Sequence, residues 1–373
     1  MALSKIDLAN MVENDLAAGS QPLTIIENKI NFRNIIINGD MSQAQRSTST
    51  ASITGIGYHT IDRFSTLIAT AGTWTQSQST TVPSGQGFAK SLKMDCTTAD
   101  SSLSAGDYLI INQKFEGQNL QYLKKGTSSA QSTTLSFWVR SNKTGTYIIQ
   151  LNDVDNNRSI SKSYTISSSD TWEKKTLTFA GDTTGAFDND NTHALDVRWW
   201  LASGSNFTSG TLQTSWGSIT NADLAVGQVN LADSTSNEWY ITGVQLEVGS
   251  SASDFEFLPH DVNLQRCQRY YYVYADGDAP GGMTSMYNGS QLGGELFMPV
   301  TMRAAATLTD TTGTDYYTNF RNGASDGFNS LTSGKANNHQ ISWFNASEVS
   351  GTAGHSGFFR VTSNGRIVME AEL

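Results

Sequence analysis

From residue 34 to about residue 257 the chain repeats one pattern: short runs in which apolar and polar positions alternate, separated by turn residues. The clearest runs are Tyr108-Leu-Ile-Ile-Asn112, Thr134-Leu-Ser-Phe-Trp-Val-Arg140, Thr146-Tyr-Ile-Ile-Gln-Leu151, Lys175-Thr-Leu-Thr-Phe179, Leu195-Asp-Val-Arg-Trp-Trp-Leu201 and Glu238-Trp-Tyr-Ile-Thr-Gly-Val-Gln-Leu-Glu-Val248. Period-two alternation puts one face of a strand in a core and leaves the other outside. Many such runs at this spacing predict a two-sheet β-sandwich of jelly-roll type over residues 33–260.

The pattern changes at both ends. Ser4 to Asp7 reads as a capping box opening a short helix, whose apolar stripe of Ile6, Leu8, Met11, Val12 and Leu16 runs out at Gly19. An extended stretch follows to Phe32. A helix this short needs a surface to dock on, so residues 1–32 are expected to be an anchor. After residue 260 a second block runs through Tyr270-Tyr-Tyr-Val-Tyr274, Glu295-Leu-Phe-Met298 and Gly357-Phe-Phe-Arg-Val361 to the end. It predicts a smaller β-domain over 261–373, with Ser363-Asn-Gly-Arg366 as a hairpin turn. The Gly/Ser/Asn-rich stretch from Gly323 to Asn338 is expected to be exposed loop. The fold class expected is therefore all-β: a jelly-roll sandwich with a short N-terminal helical and extended anchor and a smaller C-terminal β-domain. No solenoid repeat or long heptad run is present.

Composition narrows the partners. The 373 residues carry 24 Lys and Arg against 34 Asp and Glu, a formal charge of -10, with no basic run to offset it. The counterion release that drives nucleic-acid binding is missing, so nucleic acid is not an expected partner. No stretch has the apolar length of a membrane span, and no basic-then-apolar leader follows Met1, so cytoplasmic synthesis without a secretion signal is expected. Cys96 and Cys267 have neither a metal-binding nor a disulfide-framework spacing and are expected to be free thiols.

Five segments in order carry a resemblance: Asn34-Ile-Ile-Ile-Asn-Gly-Asp-Met41, Ile61-Asp-Arg-Phe64, Ser136-Phe-Trp-Val-Arg140, Gly243-Val-Gln-Leu-Glu-Val-Gly249 with Phe255-Glu256, and Leu264-Gln-Arg-Cys-Gln-Arg-Tyr-Tyr271. Together they resemble the tail-fibre and virion appendage proteins of tailed bacteriophages. The resemblance implies a jelly roll similar to carbohydrate-binding modules and a host-facing C-terminal domain. It also implies a homotrimer, attached to other virion proteins through the N-terminal arm and holding a host-surface glycan. The location it implies is the virion. A structural adaptor or decoration protein without a ligand is the alternative. A polysaccharide depolymerase is a third reading, and the lack of a β-helix repeat speaks against it.

Sugars present C–H faces and many hydroxyls, so their sites combine aromatic faces with amides and carboxylates. Trp172, Trp199, Trp200 and Tyr240 are the candidate platform; neighbours Trp199 and Trp200 must point to opposite faces of one strand, so one of them is expected outside the core. Trp138 is assigned to the core. Tyr270 and Tyr272 are expected at an interface, either between domains or between copies. The acidic loop Asn152-Asp-Val-Asp-Asn-Asn-Arg158 lacks the glycine and the bidentate glutamate of an EF-hand and reads as a polar turn. Jelly rolls of the kind resembled hold a structural calcium near their first and last strands, which here would use Asp40 or Glu247; no other cofactor is expected. His59, His193, His260, His339 and His355 are isolated, no catalytic motif is present, and no enzymatic activity is expected.

Overall fold

The computed structural model describes residues 32–373. The predicted anchor, with Ile6, Leu8, Met11, Val12 and Leu16, lies outside the described residues. The first thirteen strands are β1 (Ser49–Ile53), β2 (Gly57–Tyr58), β3 (Ser65–Ala69), β4 (Thr73–Ser79), β5 (Ser91–Thr98), β6 (Tyr108–Glu116), β7 (Thr133–Ser141), β8 (Gly145–Asp153), β9 (Arg158–Ile166), β10 (Glu173–Phe179), β11 (His193–Ser203), β12 (Gly217–Ser218) and β13 (Glu238–Val248). They form two antiparallel sheets, ordered β1-β4-β5-β13-β7-β10 and β12-β9-β8-β11-β6-β3-β2. The architecture is the predicted all-β sandwich of jelly-roll type. Between the sheets lies one continuous apolar core, where Trp199 meets Phe64 at 6.2 Å and Phe137 at 6.1 Å between ring centroids.

Helix α1 (His260–Gln268) then leads into β14 (Tyr271–Asp276), β15 (Ala279–Met286), β16 (Leu292–Phe297), β17 (Thr307–Asp310), β18 (Tyr317–Arg321), β19 (Ala324–Phe328), β20 (Thr332–Ala336), β21 (Gln340–Asn345), β22 (Ser356–Val361) and β23 (Arg366–Glu370). These make a three-stranded sheet, β14-β23-β17, and a seven-stranded sheet, β19-β18-β22-β15-β16-β21-β20. Their separate core stacks Phe328 on Trp343 at 5.7 Å, with Tyr317 and Phe359 around them.

Several local expectations are corrected. Ser363-Asn-Gly-Arg366 does not close a hairpin. Gly365 N–H does reach the Thr362 carbonyl, but β22 and β23 belong to different sheets, so the turn passes the chain between them. The stretch from Gly323 to Asn338 is not free loop: it contains β19 and β20, which close opposite edges of the C-terminal sheet. Asn34 to Asp40 is irregular rather than a strand, yet Ile35 N–H bonds to Leu246 O and Val244 N–H to Gly39 O, which lays the segment along β13. Helix α1 was not expected either. Only Asn263 and Cys267 along it are buried, four residues apart, too thin a stripe to stand out from the polar sequence around it.

The two domains meet through a dense junction. Arg63, fully buried, pairs with Glu372, donates to the Lys114 carbonyl at 2.8 Å and lies 3.5 Å from the Tyr270 ring centroid. Arg269 makes a two-pronged bond to Glu116 at 2.7 and 2.8 Å, and the Tyr270 hydroxyl also donates to Glu116. Arg46 caps the Tyr271 ring at 3.7 Å and reaches Glu370 and Glu372. Tyr270 is thus an interface residue within one chain, whereas Tyr272 packs on the C-terminal core beside Tyr274.

Candidate ligand groove on the jelly-roll sheet

The strands β3, β6, β8 and β11 lie side by side in the seven-stranded jelly-roll sheet, and alternation sends Asp196, Arg198 and Trp200 of β11 to its outer face. Across β8 from them stand Asn152 and Gln150, and across β6 Asn112 and Ile110. The upper part of this face is roofed by residues 203–225. Their Phe207 and Leu224 close over Trp200 together with Tyr108, with Phe207 5.3 Å and Tyr108 6.4 Å from the Trp200 ring. Where the roof ends, a groove of about 500 Å³ opens, bounded by Val154, Asn157, His193, Arg198, Ile219 and Asn221.

Its polar wall is organised around one carboxylate. Asp196 is fully buried and accepts hydrogen bonds from Asn152 at 2.8 Å, Asn112 at 3.1 Å and Arg198 Nε at 2.6 Å, with His193 Nε2 3.5 Å away. Burial alone would raise its proton affinity. The Arg198 charge and the neighbouring His193 outweigh that and hold the carboxyl well below the usual carboxylate range. Asp196, ionised at neutral pH, therefore fixes Arg198 and the Asn152 amide as oriented donors and acceptors, the arrangement that recognises hydroxyl groups. Gln150 Oε1 accepts from Trp200 Nε1 at 3.1 Å, while Gln150 Nε2 is a buried donor without a described partner. Such a group costs free energy unless water or a ligand meets it.

The predicted aromatic platform is not assembled. Trp199 is wholly buried in the main core, and Trp200, on the opposite face, is almost wholly covered by residues 203–225 at the inner side of the groove. One of the pair does lie outside the main core: it is Trp200, which lines the groove. Tyr240 and Trp172 stand on the other sheet, 6.2 Å apart. Tyr240 is buried as well: its ring is covered by Arg140 at 4.9 Å and Lys93 at 5.6 Å, and its hydroxyl donates to Glu238 at 2.6 Å. Trp172 alone of the four is partly open. Trp138 is corrected in the other direction: Leu135, Phe137 and Val139 fill the core, and Trp138 stands partly buried on the outer face.

The two alternatives named for a structural calcium, Asp40 and Glu247, stand apart. Asp40 lies by Thr242 and accepts from Asn263 and Ser42, whereas Glu247 lies at the far end of the same ladder and is taken up by Ser253, Gln245 and Arg33. Among the described residues no three metal-ligating side chains cluster. Asn152 to Arg158 forms the turn between β8 and β9, with Asp153 paired to Lys125 at 2.6 Å and Arg158 to Asp182 at 2.7 Å. His193, Asn152, Asn157, Phe207 and Asn221 escaped the sequence reading. Asp196 and Arg198 were within reach, since both share the period-two face of Trp200.

No family model and no curated protein matches the chain. Among solved structures it is similar to the enzymatically active domain of tailspike protein 4 of bacteriophage CBA120, at 15% identity and TM-score 0.29, over 58% of this chain and 22% of that one. It is also similar to a putative sugar-binding protein of Bacteroides thetaiotaomicron (15%, TM-score 0.29, 58% and 100% of the two chains). A third is the family 11 carbohydrate-binding module of a Clostridium thermocellum cellulase (12%, TM-score 0.25, 54% and 99%). The likeness is one of fold. No helix of the described residues is long and apolar enough to cross a membrane.

Proposed function

We propose that this chain is a subunit of a bacteriophage virion appendage, a tail fibre or spike, that attaches to host-surface glycans through the groove beside β11. The observation that carries the binding half is the groove itself. An apolar rim of Val154 and Ile219 faces a wall of Asn152, Asn157, Asn221 and Arg198, backed by the ionised Asp196. Apolar surface for C–H faces next to fixed donors and acceptors is what a neutral or weakly charged sugar chain requires. The virion half rests on the ordered segments from Asn34 to Tyr271. Several copies on one particle would multiply weak single-site binding. The reading is of binding without catalysis, with anchoring to other virion proteins assigned to residues 1–32.

Affinity electrophoresis through host polysaccharide tests the groove. Val154 is 45% exposed, so Val154→Trp fills the opening without disturbing the core; it is expected to abolish retardation while Trp172→Ala on the other sheet leaves it unchanged. Equal retardation of wild type and Val154→Trp would remove the groove from the reading. Antibody to residues 261–373, viewed on intact virions by electron microscopy, tests the placement. Label at appendage tips agrees with it, and label that appears only on disrupted particles leaves the structural-adaptor alternative.

A further inference from the structure

A cavity of about 310 Å³ opens at the seam between the two modules. Part of its lining is buried apolar surface: Ile35 and Ile37 come from the strip laid along β13, and Phe115 from the end of β6. Phe32 and Tyr122, both exposed, add ring surface at its rim. The polar groups are few, and one of them is Arg266 in the last turn of α1, so both modules build the wall. Concave, largely apolar sites with a few fixed polar groups, placed between modules, are where small molecules bind.

Charge indicates the ligand. Glu116, in the lining, is already taken: it accepts both prongs of Arg269 and the Tyr270 hydroxyl. Glu256, whose charge also reaches Arg266, accepts the backbone N–H groups of Phe32 at 2.6 Å and Asn34 at 2.9 Å and pairs with Arg33 at 3.7 Å. Arg266 is left over. Among the described residues no carboxylate lies within ion-pair distance of it, and its one hydrogen bond is a long one, 3.4 Å to the Asn34 carbonyl. Burial works against its charged form and pulls its pKa below the ordinary arginine value. A guanidinium nonetheless keeps its proton, so an anion is what offsets the desolvation. We infer that the cavity binds a small organic carboxylate, its anion on the open donors of Arg266 and its apolar body on Ile35, Ile37 and Phe115. A planar carboxylate matches the guanidinium fork with two parallel bonds, and the apolar lining selects a body that is not itself polar. Such a ligand touches the strip beside β13, the end of β6 and α1 at once. Its binding therefore adds to the stability of the folded junction. The site is separate from the groove beside β11 and does not rest on the glycan reading.

The test is calorimetric titration of the purified full chain, with thermal unfolding in parallel. Benzoate is the probe, and benzamide, of nearly the same shape without the charge, is the control. Benzoate is expected to bind and to raise the unfolding temperature, and benzamide to do neither. Arg266→Gln should weaken benzoate binding by about tenfold or more, with Arg266→Lys, which keeps the charge and loses the fork, in between. Without ligand Arg266→Gln should unfold no lower than wild type, because it removes an uncompensated charge, so its loss of binding is separable from loss of folding. No heat from benzoate, equal binding of benzamide, or Arg266→Gln binding as wild type does overturns the inference. Glucuronate carries the same charge on a hydroxylated body; tighter binding than benzoate overturns the apolar assignment and gives the cavity to acidic sugars instead.

Discussion

Asp62 shows what a single buried group does to the stability of this protein. Its carboxylate takes the Gln45 N–H at 3.0 Å and the Gln45 amide at 2.7 Å, and its backbone carbonyl takes Asn38 Nδ2 at 3.0 Å. Burial pushes its pKa up to about 6, against the Gln45 bonds and the Arg46 charge that favour the ionised form. The folded value lies above the unfolded one. Stability from this group is therefore complete below about pH 4 and is lost as pH rises through 6. The size of the shift corresponds to about 3 kcal/mol. Asp62→Asn removes this titration, so its stability should fall less from pH 4 to pH 7 than that of wild type, as read by denaturant midpoints across that range. Asp196 carries the opposite sign. Its lowered pKa supplies stability above the unfolded value near 4 that disappears on further acidification, and Asp196→Asn should lose that contribution at neutral pH.

Among the elements, β13 and the irregular strip beside it depend on two glycines. Gly243 adopts φ +61°, and a Cβ there would lie 2.5 Å from the Phe88 ring; a Cβ on Gly39 would lie 2.0 Å from the Val244 carbonyl oxygen. Gly39→Ala must push two backbones apart, and a loss of about 1–3 kcal/mol in chemical denaturation is expected. Such close approaches explain how much of the fold was legible. The alternation in β7, β8, β11 and β13 announced the sandwich, because one face of each strand fills the main core. It could not announce that residues 203–225 would fold back over the outer face and bury Trp200, since that roof is a succession of short turns with no period of its own. The same blindness hid the groove, whose wall comes from Asn152, Asn157, Arg198 and Asn221 on separate segments. The edge strands β19 and β20 looked like loop because each is five residues long with one Gly and one Ser and no alternating apolar face, and β20 is exposed along its whole length.

For the whole molecule, the junction decides whether the two cores behave as one. Arg63 and Glu372 are both buried, and removing one partner of a buried pair costs about 3–5 kcal/mol through the charge left behind. Wild type is expected to unfold in a single calorimetric transition; Glu372→Ala should lower it and separate a C-terminal transition from that of the jelly roll. Three of the five segments that carried the resemblance, 34–41, 61–64 and 264–271, converge on or beside this seam. Asn38 and Asp62 are bonded to each other, Asn263 of α1 reaches Asp40, and Arg63 and Tyr270 are stacked. Those three segments thus form a fastening between the two cores rather than a ligand site. A fastening made of matched halves works as a connector standard. A recombination event that imported a foreign C-terminal domain would yield a stable chimera only if the incoming piece began with its own Asn263, Arg269 and Tyr270 equivalents and ended on a carboxylate placed like Glu372. The rest of the C-terminal part could then diversify freely while the plug stayed constant.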